Sequence, residues 1–327
     1  MTRSRRLLAA LLSAGVLTLA GCGIEERIVH LQPAPTENAE VGAPLRAEAA
    51  ERIAARVLGQ AAEATSTEER QAVLVGPALR VAQARAARDD AASSDPAAVV
   101  VPTVPTVLAV SSGQDWPRAI LAATLDEATQ VQSLHVLVST GPTDQFKVYA
   151  TAPMLPGTSV PGLGEFADGA TFESATAEEG IPASQLFADY ALGITFPRPA
   201  SVSSVTVDDA YATSLRRNAE AQADALGDLG AVAQTHVPIA DSVMSFETAD
   251  GGLIAFGQMV RTDRVALSEQ AKELKIEDET LQELSGKEVV TRDFTAEFLE
   301  NLILVAPAGT PAGLIGAEEV VLRAEGS

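Results

Sequence analysis

Apolar and polar positions recur with two different periods along this chain, and the change of period separates helix-like from strand-like stretches. In LRAEAAERIAARVLGQAAEA, which begins at Leu45, Ile53, Val57 and Leu58 stand at helical spacing among alanines, which favour helix. Strand-like stretches follow as TVLAVSS, RAILAATLDE, SLHVLVSTG and FKVYATAPML, separated by turn residues. Neighbouring strands with short connections predict an antiparallel meander whose helices cover one face, which is an α+β fold.

The same order of segments recurs later in the chain at constant spacing. Three pairs of positions are each separated by 136 residues: Leu45 and Ile181, Leu79 and Leu215, and Val107 and Val243. This spacing predicts two duplicated domains, 44–175 and 176–327, each with helices packed on a curved antiparallel sheet. The alternative is a chance alignment of common residues, because the two halves share few identical residues.

The offset between the halves grows near their ends. An Ala-Pro pair closes an apolar run at Ala152 and again at Ala306, which is 154 residues later. The 18 additional residues fit the segment 267–286, which has no counterpart in the first half. Its six acidic side chains outnumber two lysines: Glu269, Glu273, Glu277, Asp278, Glu279 and Glu283. We interpret this acidic segment as a solvated protruding hairpin or helix, or as a contact surface for a basic partner.

An uncharged apolar run occupies residues 7–23, directly after Arg3, Arg5 and Arg6. Its uninterrupted part of about 14 residues is shorter than the roughly 20 that a membrane-spanning helix needs. The basic start and the apolar centre are typical of a secretory signal peptide. The only cysteine of the chain, Cys22, stands at the end of this run.

Leu19, Ala20, Gly21 and Cys22 resemble the bacterial lipobox. The resemblance implies that a diacylglyceryl group is attached to the thiol, that residues 1–21 are removed as a lipoprotein signal peptide, and that the new amino terminus is acylated, for example with palmitate. We therefore expect a lipid anchor on the outer, extracytoplasmic face of the cytoplasmic membrane. The alternatives are a simple secretory signal with an incidental cysteine, and an uncleaved anchor.

Residues 22–43 contain two prolines, a third follows at Pro44, and the periodicity is weak, so we interpret residues 22–43 as a flexible tether, in which His30 is solvated rather than a metal ligand. The net charge is −21, and it becomes −24 when three signal-peptide arginines are removed. Such a surface repels nucleic acid and anionic headgroups, which excludes a nucleic-acid partner and leaves the acyl chains as the membrane anchor. With no second cysteine, the fold forms no internal disulfide.

The pattern of helices and strands in each half looks like the cone-shaped fold of the nuclear transport factor 2 and cystatin-like superfamilies. In addition, DWPRAILAAT, residues 115–124, is similar to a strand start in uncharacterised actinobacterial lipoproteins built in this way. The resemblance implies a curved sheet and helices around a pocket, where enzyme members such as ketosteroid isomerase place an acid and a tyrosine. The tyrosines of this chain are Tyr149, Tyr190 and Tyr211, and none stands in a recognisable catalytic pattern.

Candidate chemistry is sparse elsewhere. The chain has no Gly-x-Ser-x-Gly, His-Glu-x-x-His or phosphate-loop motif, so we expect no enzyme activity, cofactor or metal site. His135 and His236 occupy non-equivalent places in the two halves and are expected to be satisfied or surface residues. Asp126 and Glu127 are expected to face water in a turn. Trp116 is expected to pack in the core, with a place in a ligand cleft as the alternative.

The main functional hypothesis is a non-enzymatic, lipid-anchored cell-envelope protein whose tandem domains bind a protein partner or an envelope component. The alternative is a carrier or sensor of a small apolar ligand in a cone-shaped pocket. It is motivated by Leu134, Val136 and Val138 on one face of a strand and Leu137 on the other, which predicts that both faces are covered. A third hypothesis, an isomerase-like or hydrolytic enzyme, requires a buried carboxylate or tyrosine beside a cavity.

Overall fold

A computed structural model of the chain describes residues 42–91, 104–176, 178–198 and 201–327. Cys22, His30 and residues 1–21, which the sequence predicts to be a signal peptide, lie outside these residues. The helices are α1 Ala47–Glu63, α2 Thr67–Val73, α3 Gly76–Ala91, α4 Pro182–Ile194, α5 Ala210–Leu226 and α6 Glu279–Ser285. The strands are β1 Thr106–Val110, β2 Arg118–Leu125, β3 Gln132–Ser139, β4 Lys147–Pro153, β5 Phe172–Ser174, β6 Gly230–Pro238, β7 Met244–Glu247, β8 Leu253–Leu267, β9 Leu274–Lys275, β10 Val289–Val290, β11 Asp293–Ala306 and β12 Gly313–Gly326.

Local side-chain contacts fix where helices begin. At the start of α2, Ser66 and Glu69 form a capping box, in which Glu69 N donates to Ser66 Oγ and Ser66 N donates to Glu69 Oε2. The hydrogen bonds from the Ser66 and Thr65 backbone to Glu69 lower the pKa of this carboxyl to about 2. At α5, Asp209 Oδ1 accepts from Ala212 N at 2.8 Å. Each cap satisfies backbone donors that have no partner within the helix.

The first sheet is the predicted antiparallel meander, with strand order β1-β2-β3-β4. Leu134, Val136 and Val138 of β3 belong to a buried cluster that also contains Phe246 of β7. Leu137 points to the other face, into the cluster that α1 covers. The prediction that both faces are covered is therefore confirmed, and the residues that suggested a ligand pocket are in contact with other protein side chains.

The second sheet is larger and carries the longest strands of the described chain. Its order is β12-β11-β8-β7-β5, and β6 pairs with β8 beyond the end of β7. β6 and β7 therefore pair with successive parts of β8. Helices α4 and α5 pack on one face of this sheet through Phe187, Tyr190 and Leu215. The mixed α+β class is confirmed, whereas the duplication and the sheet curvature stay predictions.

Helix α3 packs on the opposite face of the second sheet, although it precedes the first sheet in the chain. Val81 and Ala84 of α3 form a buried cluster with Leu299 of β11 and Val320 of β12. The end of β4 also joins β12, because Leu155 N donates to Ile315 O at 2.8 Å. The first half of the chain therefore covers a surface that the second half builds.

A close approach at the centre of the second sheet predicts an effect on stability. A Cβ atom added at Gly257 of β8 would lie 2.7 Å from the buried Phe187 ring. We expect Gly257→Ala to lower the free energy of unfolding by about 1 to 3 kcal/mol, because the ring must shift within a packed core. Urea denaturation measures this difference.

Gly59→Ala is the matched control, because a Cβ at Gly59 of α1 meets no atom within 4 Å. The substitution should raise stability by up to about 1 kcal/mol through helix propensity. Equal effects of the two substitutions would contradict the packing argument.

The acidic segment 267–286 folds onto the second sheet rather than protruding from it. β9 pairs with β10 around α6, and Ile276, Leu281 and Leu284 pack in a cluster with Val265 and Phe294. Its six acidic side chains are exposed. The segment therefore has an apolar inner side and a charged outer side. None of the helices in the described ranges is both long and apolar enough to cross a bilayer.

Candidate functional site

Charged side chains converge at the centre of the second sheet, on the face that α4 and α5 cover, and three of them, His236, Arg261 and Glu300, are buried. His236 of β6 lies opposite Arg261 of β8, and Glu300 of β11 lies opposite Glu319 of β12. Arg261 is in turn paired with Phe298, which lies two residues before Glu300 on β11. Residues that are paired across strands, or two apart on one strand, point to the same face of a sheet, so the four side chains meet below α5. We call this group the Glu300 network, and its members are Tyr211, His236, Arg261, Asp263, Glu300 and Glu319.

Both oxygens of the Glu300 carboxylate have partners. His236 Nδ1 lies 2.8 Å from Oε2, and Tyr211 Oη donates to Oε1 at 2.6 Å. Arg261 Nη1 lies 3.5 Å from Oε1. The side chains of Glu300 and His236 have no solvent exposure. A buried carboxylate is stable only when it is paired and hydrogen-bonded, and Glu300 meets this condition.

Arg261 is the cation of the network, and its guanidinium lies over the Phe298 ring at 3.9 Å. Its Nη1 contacts Glu319 Oε2 at 2.5 Å, and its Nε lies 3.2 Å from Asp263 Oδ2 in a geometry that forms no hydrogen bond. Burial opposes the charge of Arg261, but the carboxylates of Asp263, Glu319 and Glu300 outweigh it, so the pKa of Arg261 is raised. Burial also raises the pKa of Asp263.

All three tyrosines act as hydrogen-bond donors. Tyr211 donates to Glu300 and lies 3.1 Å from Glu319 Oε2. Burial, followed by these two negative charges, raises the pKa of Tyr211 well above 10.0. Tyr190 donates to Asp209 at 3.0 Å, and Tyr149 donates to the Asp241 carbonyl oxygen at 2.7 Å. Tyr190 and Tyr149 also have raised pKa values, chiefly because of burial.

The two histidines of the folded body differ in their hydrogen bonds. His135 Nε2 lies 2.8 Å from Thr124 Oγ1 and its Nδ1 lies 3.0 Å from Thr151 Oγ1, which confirms the prediction of a satisfied histidine. His236 is satisfied on one side only. Its Nδ1 carries the proton that Glu300 accepts, and its buried Nε2 has no partner among the described atoms.

The burial of His135 predicts a pH dependence. Burial lowers the pKa of His135 from 6.5 to about 4. Between these values the unfolded chain binds more protons than the folded one, so stability falls as pH falls from 6.5 towards 4. The shift corresponds to about 3 kcal/mol at full protonation.

His135→Gln removes this titration and keeps a donor and an acceptor for the two threonines. Thermal unfolding between pH 4.5 and pH 7 should show a shallower loss of stability in the variant than in the wild type. Parallel pH profiles would contradict the argument, since carboxylates titrate in both proteins.

Asp126 and Glu127 lie in the turn after β2, and the Asp126 side chain is hydrogen-bonded to the backbone of that turn. Asp126 Oδ1 accepts from Ala128 N at 2.8 Å and from Thr129 N at 3.3 Å. Hydrogen bonds from the Thr129 side chain and from these two backbone groups lower the pKa of Asp126. Glu127 is exposed, as expected for an acid in a turn.

Trp116 differs from its predicted role in the core. It is half-buried and stands outside the hydrophobic clusters of the described residues. The Arg118 guanidinium lies over its ring, with 4.4 Å between Arg118 Cζ and the ring centroid. The adjacent Pro117 and Asp115 are exposed. Trp116 therefore presents part of its ring at the surface.

A second polar group lies on the other face of the second sheet, below α3. Arg80 Nε donates to Gln258 Oε1 at 2.5 Å, and Gln258 Nε2 donates to Asn301 Oδ1 at 2.8 Å. Asn301 Nδ2 donates to Glu318 Oε2, which also lies beside Arg85. These contacts fix α3 on the sheet.

A hollow of about 230 Å³ lies between α2 and α3. Its lining contains no member of the Glu300 network: Thr67, Arg70, Leu79, Gln83, Ala86 and Ala87. Within the described ranges, no three His, Cys, Asp or Glu side chains are arranged to hold a metal ion.

No known protein family, curated protein or solved structure matches this chain. Its function therefore has to be argued from the residues. The resemblance to the nuclear transport factor 2 and cystatin-like superfamilies stays a prediction.

Sequence reasoning missed the Glu300 network, although the sequence contains a signal for it. In the strand sequence EFLENLILVA, Glu300 and Asn301 interrupt an otherwise apolar run, and Arg261 follows the apolar part of β8. Charged residues inside such strands are rarely buried without partners, so each predicts a counter-charge nearby. Which residue supplies that counter-charge depends on the register of four strands and on α5.

Proposed function

We propose that this chain is a non-enzymatic, lipid-anchored protein of the cell envelope, which binds a protein partner or an envelope component at the outer face of the cytoplasmic membrane. The anchor rests on the lipobox-like residues that end at Cys22, and on the absence of any other cysteine from the sequence. Two or three acyl chains hold a protein at a membrane stably, whereas one chain is marginal.

Binding rather than catalysis is favoured by one observation, which is the saturation of Glu300. An acid or base in catalysis must reach the proton of a substrate within hydrogen-bond distance. The two Glu300 oxygens are instead occupied by Tyr211, Arg261 and His236, and the side chains of Glu300 and His236 are fully buried. This arrangement supports a stabilising role for the network and leaves the exposed surface for recognition.

The proposal includes the tandem origin of the body, with domains at 44–175 and 176–327. Element order supports it, because each half contains helices followed by a set of antiparallel strands. In the first half the order is β1-β2-β3-β4, and in the second half β6, β8, β11 and β12 are successive neighbours. Two related units would offer a partner two similar surfaces on one anchored protein.

Site-specific photo-crosslinking in the native host tests partner binding. A photoreactive residue replaces one exposed side chain at a time in the full chain, at Leu125, Leu192 or Glu283. A binding protein should give a discrete adduct of reproducible mass from at least one position. The same replacements in a Cys22→Ser chain are the matched control, because the folded body is unchanged while the anchor is removed.

A wild-type adduct that weakens in the Cys22→Ser chain would support binding at the membrane. Turnover of an offered substrate that is abolished by Glu300→Gln, in a variant that remains folded, would contradict the non-enzymatic proposal. The absence of adducts from all three positions would contradict the binding proposal at the surfaces tested.

A further inference from the structure

The connection between β1 and β2 contains the only tryptophan of the chain, Trp116, which is half-buried. Residues 111–117 form this connection, which we call the Trp116 loop. Gln114, Asp115 and Pro117 are exposed, and Trp116 is half-buried against Arg118. Arg118 Nη2 donates to Gln114 O at 3.2 Å, which links the start of β2 to the middle of the loop. The loop therefore combines a partly exposed aromatic ring with a cation.

The Trp116 loop lies at the end of the body where the described chain begins. Ala43 N donates to Ala167 O at 2.8 Å, which places the start of the body on the turn at 166–168. Just beyond this turn, Ser112 N donates to Ala170 O at 2.8 Å. A Cβ added at Gly169 would lie 2.9 Å from Ser112 Cα, which shows how closely the two segments pack.

The apolar contacts agree with this placement. Ala43, Leu45 and Phe166 pack in the same cluster as Phe146, which directly precedes β4. Ser139 at the end of β3 is paired with Arg118 at the start of β2. The β1–β2 connection, the β3–β4 connection and residue 43 therefore occupy one end of the first sheet.

We propose that the Trp116 loop contacts the membrane surface to which the tether anchors the protein, with the indole ring among lipid headgroups and Arg118 beside their phosphates. This inference rests on the proposed lipid anchor. Tryptophan is enriched at membrane–water interfaces because its ring is apolar and its N–H is polar. Arginine supplies planar donors that suit phosphate oxygens.

The length of the tether makes the contact feasible. A chain of about 20 residues spans at most roughly 70 Å even when fully extended, which keeps the loop within reach of the bilayer. Such a linker raises the effective concentration of the second contact to the millimolar range, so a weak contact is sufficient. Exposed Asp115 and Asp168 repel anionic lipid, so the ring supplies the attraction and the contact should weaken as the anionic fraction rises.

Tryptophan fluorescence tests the inference directly, because Trp116 is the only tryptophan in the chain. The acylated full-length protein is placed in phosphatidylcholine vesicles with 20% phosphatidylglycerol, with and without lipid brominated near the headgroup. The emission should shift to shorter wavelength relative to protein in solution, and brominated lipid should quench it. Raising the phosphatidylglycerol fraction should reduce the quenching.

The matched control moves the tryptophan to the second half of the body. In the double variant Trp116→Phe with Leu192→Trp, the reporter lies on α4 at a side chain that is 49% exposed. Its emission should not respond to brominated lipid. Equal quenching of both proteins, or no quenching of Trp116, would overturn the inference.

Mass spectrometry and vesicle flotation of the same samples separate the two proposals. A protein that carries the diacylglyceryl mass and floats with vesicles, but whose Trp116 is not quenched, leaves the anchor in place and overturns only the loop contact. A protein without that mass overturns the anchor, and the loop inference with it.

Discussion

Glu300→Ala should lower the free energy of unfolding by about 3 to 5 kcal/mol, because it breaks a buried charge network by removing one partner. Arg261 keeps Glu319 and Asp263, but Tyr211 loses its 2.6 Å acceptor and His236 Nδ1 loses its only partner. A buried donor left without an acceptor contributes about 1 to 3 kcal/mol of this loss. Chemical denaturation of the wild type and the variant measures the difference.

Glu325→Ala is the matched control on β12. The Glu325 side chain is 70% exposed and lies 3.4 Å from Arg323. An exposed pair of this kind contributes at most about 1 kcal/mol, so the variant should remain close to the wild type. A Glu300→Ala protein as stable as Glu325→Ala would show that the network does not stabilise the fold.

Glu300→Gln removes the negative charge of the side chain and keeps its shape. The amide oxygen still accepts from Tyr211, but the amide nitrogen cannot accept from His236. We therefore expect the free energy of unfolding of Glu300→Gln to lie between the values of the wild type and Glu300→Ala. The three variants together show whether the carboxylate charge or the hydrogen-bond geometry dominates.

The proposed anchor predicts that Cys22→Ser abolishes lipid attachment completely. The lipid is transferred to a thiol, and a serine hydroxyl is a far weaker nucleophile because its pKa is much higher. Without the modified cysteine the signal peptidase does not cleave, so the precursor should accumulate at higher mass. The folded body should be unchanged, because residue 22 precedes it on the tether.

Metabolic labelling with a palmitate analogue, followed by mass spectrometry, measures this outcome. Gly23→Ala is a suitable control, because it changes the neighbouring residue and leaves the thiol in place. The control should be labelled and cleaved like the wild type. Label that persists on the Cys22→Ser chain would refute the assignment of the anchor.

The elements of the first sheet were predictable from the sequence, because hydrophobic periodicity is a local property. β1, β2 and β4 fall within their predicted strand segments, β3 begins one residue before its segment, and the four strands pair in the predicted order. The position of α3 was not predictable, because its partners lie far away in the chain. Arg80 bonds to Gln258 and Arg85 contacts Glu318, which are 178 and 233 residues away.

The candidate site was predictable only in part for the same reason. The satisfied state of His135 depends on Thr124 and Thr151 of the adjacent strands, which the meander brings within reach. The partners of Glu300 come from β6, β8 and α5, and only the tertiary register selects them. Trp116 was assigned to the core from its size, whereas its loop leaves part of the ring exposed.

The packing of α3 on the second sheet determines when the body can complete its fold during synthesis of the chain. Val81 and Ala84 are buried in a cluster with Leu299 and Val320, which the ribosome makes more than 200 residues later. Contacts at such separations form slowly, because the chain must lose the entropy of closing a long loop before the contact energy is gained. The body therefore completes its fold only when its last strand is present.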